Sequence, residues 1–460
     1  MVYILAGAGL LVKKWAKPSI IIGILWVVAL LARIVFYALF LRDNPCLLMF
    51  DSGHYHTMAV HLLQQGAFCN GMGVYDFYRM PGYPMFLAAC YNALGVWPQA
   101  AIAVQMIIAA CMPVQVLFLT RAIGAACSFP IQLTKRLSWI IAVIMIFHVG
   151  ALIFSGLLMT DMLFTMAFIS FLHLFVKAYV REYSWYSILF AGLLLGVCNL
   201  VRPLIFLPIV LGVLIFFLFP GEWKQRAFIA LNFLIGWGAV VCCWLVRNWL
   251  LTGLWFLHTL SGPHLLNHGA VRVYAMANHT THDAAREAVC AHVSPQVSPI
   301  LASQEEEQLA RKVLLTYWPQ TVQLAIINCI KTVAALYSSE LLVIDAAGEL
   351  PSYEGSCNLI QRAKRFMCPE VRNVLIRYIC WIEIIMQFLL MVGLSGFVLF
   401  CWHFLCSKRL LLLLVGICVC IIATTAICGF ARLRLPIEPI LIMVSVLFYL
   451  SGARAKGNGL

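Results

Sequence analysis

Asp51 stands near the start of "FDSGHYHTMAVHLLQQG", the first polar stretch after an apolar run long enough to cross a bilayer. A carboxylate in that position can accept a proton from a hydroxyl or hold a divalent cation. It can also simply cap a helix. Asp51 and Ser52 precede Tyr55, Met58, Ala59, Leu62 and Leu63 at helical spacing, and Gly66 marks a stop. The roles are compatible, because a capping carboxylate is still an anion.

Three further stretches carry charge at the ends of apolar runs. In "YRMPGYP", Tyr78 to Pro84, the prolines fix a rigid, non-helical entry and Gly82 permits a close turn. Arg79 is thereby held at headgroup depth, where a guanidinium either snorkels or reads a phosphate with its planar fork. "LLMTDMLFTMAF" puts Asp161 at a tight turn between two spans, and "GLLLGVCNLVRPLIFLPIVLG" puts Arg202 beside a proline. Two acids and two arginines on one face suit a phosphorylated, lipid-linked substrate with a metal nearby.

The elements that must position these groups are membrane helices. The 460 residues are 63% hydrophobic and 11% charged, against about a quarter charged in soluble domains. The net charge of +13 does not indicate nucleic acid, because the basic residues fall between apolar runs, as topology signals do. The 18 cysteines are scattered without a C-x-x-C pair, which argues against a zinc or redox framework, though Cys46 and Cys69 flank the Asp51 stretch and could pair. No nucleotide-binding loop and no internal repeat is evident.

The pattern predicts about ten spans, an all-α polytopic membrane protein. They run over 20–41, 98–120, 137–157, 162–179, 186–200, 204–219, 228–249, 378–405, 410–430 and 437–450. Lys13, Lys14 and Lys17 precede the first, which reads as an uncleaved span. The positive-inside rule puts Asp51, Asp161 and Arg202 outside, within an outer first loop at 42–97 and the turns that follow. "PGYPMFLAACYNALGVW", from Pro81, is too short for a crossing and is expected at the interface. The run 317–342 carries Lys331 and Glu340, so an interfacial or re-entrant helix is expected there. Upstream, Ser303 is expected to cap a helix over "SQEEEQLARKVLL". Three segments result: a module 1–250, an outer-facing region 251–373 with interfacial helices, and C-terminal spans 374–460.

The order of these motifs, continued by "WLVRNWLLTG" and "ARLRLPIEP", resembles the type C glycosyltransferases that use polyprenyl-phosphate sugars. The chain is similar to glycosyltransferase family 39, the protein O-mannosyltransferases, and to aminoarabinose transferases. The resemblance implies a GT-C-like helical bundle and transfer from a polyprenyl-phosphate sugar to a glycan, lipid or protein hydroxyl. It implies a multi-pass protein of the plasma (cell inner) membrane with its site facing out. Asp51 matches the catalytic acid of the first loop, and Asp161 the second acid, near metal and donor phosphate. Arg79 sits where a basic residue contacts that phosphate, with Arg202 in support and Tyr83 of the same motif as a further substrate contact. A divalent ion, Mg or Mn, would be held by Asp51 and Asp161, with no nucleotide cofactor. Ser52 stands where many relatives have a second acid, and His54 is a stand-in ligand by proximity alone. A transporter or flippase for lipid-linked saccharides is the alternative, and it would be expected to carry mid-membrane polar groups and internal repeats.

Overall fold

A computed structural model describes residues 18–44, 47–48, 51–180, 185–204, 206–291, 293, 298–345, 373–400 and 408–457. Regular structure among them is helical, apart from an isolated antiparallel bridge between Cys69 and Tyr75. The three leading lysines and Cys46 lie outside the described residues.

Each of the ten expected crossings corresponds to a helix. Long enough to span alone are Ser19–Leu41, Pro98–Ala126, Thr160–Val180, Trp223–Thr252, Val374–Leu399 and Ala431–Leu450. The first is α1 (Pro18–Phe36) prolonged by a π-turn. α2 (Asp51–Gln65) and α3 (Gly82–Leu94) occupy the first loop. The second span is α4 (Pro98–Ala109) and α5 (Met112–Ala126), interrupted just before Pro113, which has no N–H for the helical ladder. α6 (Ile131–Ile146) and α7 (Val149–Ser155) meet at 49° and are together apolar and long enough for one bent span, with His148 capping the second arm. Next come α8 (Thr160–Val180), α9 (Trp185–Val201), α10 (Phe206–Leu218) and α11 (Trp223–Thr252). The chain is a multi-pass helical membrane protein.

Between Gly253 and Asp345 lie α12 (Ser261–His264), α13 (Val271–Asn278), α14 (His282–Cys290), α15 (Pro299–Thr316), α16 (Trp318–Ala334) and α17 (Ser338–Asp345). Helix α15 starts at Pro299, earlier than expected, so Ser303 is not its cap. Ser303 is buried inside the helix, where its hydroxyl donates to the Thr259 carbonyl at 2.7 Å and accepts from the Gly262 N–H. That makes it a fastener between the turn at Thr259–Gly262 and α15. Helices α15 and α16 meet at 101°. The apolar run 317–342 then stops at Ala335, because buried polar groups from other helices satisfy its broken backbone. Glu383 accepts the N–H groups of Tyr337 and Ser338 at 2.6 and 2.8 Å. Arg434 donates to the carbonyls of Thr332 and Ala335 at 3.0 and 3.3 Å. α18 (Val374–Phe400), α19 (Arg409–Thr424), a 3₁₀ turn (Ala431–Ile437) and α20 (Glu438–Gly457) complete the bundle.

Helices α9 and α11 pack closely because glycines line their crossing. A Cβ on Gly192 would lie 2.1 Å from the Phe233 carbonyl oxygen, and one on Gly236 would lie 2.3 Å from that of Leu189. The backbones touch, so no side-chain rotation can make room. Gly192→Val is expected to lose roughly 1–3 kcal/mol or more, the range of overpacked cores. A lower melting temperature in detergent checks this; an unchanged one would mean that the helices can slide apart freely.

Candidate functional site

The amphipathic stripe of α2 buries Tyr55, Met58 and Ala59 and leaves its N-terminus, with Asp51, at one end of the bundle. Arg79 arrives from the loop before α3. That loop is tied by the Cys69–Tyr75 bridge and by a hydrogen bond from Asp76 N to Phe68 O at 2.8 Å. Gly82 then lets α3 approach the end of α9, since a Cβ there would sit 2.7 Å from the Leu200 carbonyl oxygen. The loop bearing Arg79 is thus brought beside the turn bearing Arg202. Asn199 covers that turn, accepting the Leu204 N–H at 2.7 Å.

Arg79 Nη2 donates to Asp51 Oδ1, and its guanidinium lies over the rings of Tyr78 and Tyr55, 5.0 and 5.4 Å from their centres. Asp161 opens α8 with its side chain wholly enclosed. The turn is therefore not wet, as an exposed tip would be. Arg202 Nη2 lies 2.6 Å from Asp161 Oδ1, and Arg202 Nε donates to Thr160 Oγ1 at 2.9 Å. The Arg202–Asp161 contact is an ion pair without hydrogen-bond alignment, so both Asp161 oxygens keep an unused acceptor capacity.

A residue to which the sequence reading gave no role joins the two pairs. Arg432, from "ARLRLPIEP", lies with Nη1 3.8 Å from Asp51 Oδ2. The charges of Asp161, Glu340 and Asp51 all act on it, and its buried Nε has no hydrogen-bond partner. The motif was visible; what hid its role was the long sequence separation from Asp51. Glu340, half-buried on α17, completes the group. Burial pushes its carboxyl above the usual range, opposed by Arg432 and reinforced by Asp161.

Facing this cluster is a histidine wall. His264 is pushed down to about 4 by burial and by the nearby charges of His268, Arg432 and Arg79. Its Nε2 lies 3.2 Å from Cys428 Sγ, and its ring packs against that of His268. His268 is pushed down as well, by burial and by the charges of Arg272, His282 and Arg432.

Asp51 and Asp161 are the expected metal ligands, yet each is already faced by a guanidinium. Three arginines surround the two carboxylates. Among the described residues, no three His, Cys, Asp or Glu side chains gather as a metal-holding group. His54, the stand-in ligand, is engaged with Asp76 and Arg79. This donor set does not fit a resident divalent ion. Tyr83 does not face the cluster either. It is fully buried, with its hydroxyl donating to Gln105 Oε1 at 3.0 Å, and Gln105 donates in turn to the carbonyls of Phe154, Ser155 and Leu157. Tyr83 therefore fastens α3 to α4 and to the turn before α8.

No family model matches the chain, and no curated protein does. Among solved structures it is similar to ArnT from Cupriavidus metallidurans, in the apo state and bound to undecaprenyl phosphate. The two likenesses have TM-scores of 0.38 and 0.41 at 14% identity. They cover 94% and 95% of this chain and 78% and 80% of those chains. Similarity at this level carries no residue correspondence.

Tyr83→Phe keeps the buried ring and removes one hydrogen bond, so it is expected to cost about 1 kcal/mol or somewhat more. The check is a denaturation midpoint beside an activity assay; a selective loss of activity at unchanged stability would place Tyr83 on a ligand after all.

Asp76 supplies a pH test. Burial disfavours its carboxylate, but hydrogen bonds from His54 and from the Tyr78 and Arg79 backbones outweigh this and hold its pKa below the usual range. A depressed folded pKa gives stability that is present above the unfolded value, about 4, and is lost as pH falls through the folded value. The stability of wild type is therefore expected to fall more steeply below pH 4 than that of Asp76→Asn, as read from melting temperatures across an acid series. Parallel curves would exclude Asp76 as a contributor.

Proposed function

We propose that the protein is a membrane glycosyltransferase that moves a sugar from a polyprenyl-phosphate donor to an acceptor hydroxyl, with its site at the outer face of the plasma membrane. The observation that carries this reading is the convergence of Arg79, Arg202 and Arg432 on Asp51 and Asp161 at one end of an apolar bundle. Arg79, Arg202 and Arg432 outnumber Asp51 and Asp161 by one, and burial disfavours the charge on Glu340, the third acid of the group. A sugar phosphodiester carries one negative charge and suits that balance. Its prenyl tail would remain in lipid, and its phosphate would take guanidinium donors from the carboxylates.

That exchange frees Asp51 from Arg79. The acceptor hydroxyl then gives its proton to Asp51 while its oxygen bonds to the anomeric carbon. The bond from that carbon to the phosphate oxygen breaks, and its electron pair goes to the departing polyprenyl phosphate. The phosphate gains a second negative charge in this step. Arg79, Arg202 and Arg432 therefore bind the transition state more tightly than the donor. A single displacement of this kind inverts the anomeric centre. No metal is required for it, because the arginines supply the charge that a cation would.

The transporter reading has less support, since the buried ionisable groups within the C-terminal spans are consumed by one another. Arg434 Nε donates to Glu438 Oε2 at 2.6 Å, and Tyr337 and His148 also contact that carboxylate.

Asp51→Asn tests the proposal. Asparagine caps a helix about as well as aspartate, so folding is expected to survive. Transfer from a polyprenyl-phosphate sugar should drop about a hundred- to ten-thousandfold. Polyprenyl phosphate should bind no more weakly than to wild type, because Arg79 loses a competitor. Near-normal transfer by this variant would reduce Asp51 to a cap and sink the mechanism.

A further inference from the structure

His54 and Asp76 have no part in the chemistry above, but their geometry is directional. Asp76 is buried, and its Oδ1 accepts the Tyr78 backbone N–H at 2.6 Å. Its Oδ2 lies 2.6 Å from His54 Nε2. The other ring nitrogen, Nδ1, lies 3.5 Å from Arg79 Nε, which can only donate. A nitrogen that faces a guanidinium N–H must be the acceptor. The ring proton of neutral His54 therefore sits on Nε2 and is donated to Asp76, so both neighbours select the same tautomer. Arg79 in turn is held on three sides: Nε by His54, Nη2 by Asp51, and its faces by Tyr55 and Tyr78.

We propose that His54, fixed by Asp76 in its Nε2–H tautomer, is a positioning residue that aims the Arg79 guanidinium into the cluster for a phosphate ligand. The phosphate part rests on the function proposed above; the aiming of Arg79 does not. When a phosphate displaces Asp51 from Nη2, the bond to His54 keeps Arg79 from swinging with its old partner. The ligand then meets an oriented fork rather than a mobile cation.

Asp76→Asn separates this role from simple packing. The asparagine carbonyl still accepts from Tyr78, but its NH₂ now faces His54 Nε2. The imidazole must accept there and carry its proton on Nδ1, which sets N–H against N–H at Arg79. Full-length protein in nanodiscs would be assayed for the rate at which phenylglyoxal modifies Arg79, read by mass spectrometry, and for binding of undecaprenyl phosphate. In Asp76→Asn, Arg79 should react several times faster. Binding should weaken roughly ten- to a hundredfold, the range of a lost charge-assisted hydrogen bond. His54→Phe should behave alike, since it removes both nitrogens. His54→Gln, whose amide can accept and donate across a similar span, should recover most of the wild-type values. Combining Asp76→Asn with Arg79→Lys should weaken binding no further than Arg79→Lys alone. Unchanged Arg79 reactivity in both Asp76→Asn and His54→Phe overturns the proposal, as does a His54→Gln protein as impaired as His54→Phe. Faster Arg79 reaction without undecaprenyl phosphate binding by wild type would uphold the positioning role and overturn the phosphate reading instead.

Discussion

Guanidinium groups can be held at the end of an apolar bundle only if counter-ions are held there too. Removing an arginine from water is costly, and the attraction of a nearby carboxylate offsets that cost only at close range. Asp161, wholly enclosed, is held in this way by Arg202, and removing the partner of a buried charge typically costs about 3–5 kcal/mol. The two arginines are equally accessible, Arg202 at 16% and Arg79 at 15%, but Asp51 is 28% exposed where Asp161 is wholly enclosed. This difference divides the labour. The pair with the enclosed acid holds the ends of α8 and α9 together, and the pair with the accessible acid is the one placed to change partners.

Arg432 depends on a second network for its position. In a 3₁₀ turn, residues two apart point in different directions, so Arg432 and Arg434 leave the same turn toward different surroundings. Arg434 enters the core, where Glu438, Gln387 and the carbonyls at the end of α16 take its donors. His148 joins through its ring. Its Nδ1 accepts the Ala151 N–H, which leaves Nε2–H to face Glu438 Oε1 at 3.4 Å. A satisfied buried network of this sort is stiff, and a partly satisfied one would not be. The turn is thereby fixed from the core side, and Arg432 is presented to the acids from a rigid base.

Much of this was legible in the sequence. Apolar length and basic punctuation are local signals, and they located a helix at each of the ten apolar runs, six of them long enough to span alone, and the helix that begins at Asp51. What escaped depended on distant partners. Ser303 looks like a cap because acids follow it, but Pro299 opens the helix earlier and Thr259 claims the hydroxyl. Tyr83 lies in a motif with a reactive look, yet its hydroxyl is consumed by Gln105 across a helix pair. Asp76, inside a glycine-rich loop, carries no local signal at all. Its importance arises only when the loop folds back on α2 and brings it to His54.

The balance between arginines and acids bears on turnover as much as on binding. In the proposed transfer a leaving phosphate with two negative charges would be held more tightly by three arginines than the donor, and a site that only attracts would stall on its product. Asp51 and Asp161 supply the opposing term. Asp51, once rid of its proton, regains its claim on Arg79 and Arg432, and the unused acceptor oxygens of Asp161 compete for Arg202. His264 and His268, both pushed toward their neutral forms, oppose any further gain of positive charge there. In that proposed cycle, the same carboxylates that hold the arginines before the donor arrives would drive the spent lipid phosphate back toward the membrane.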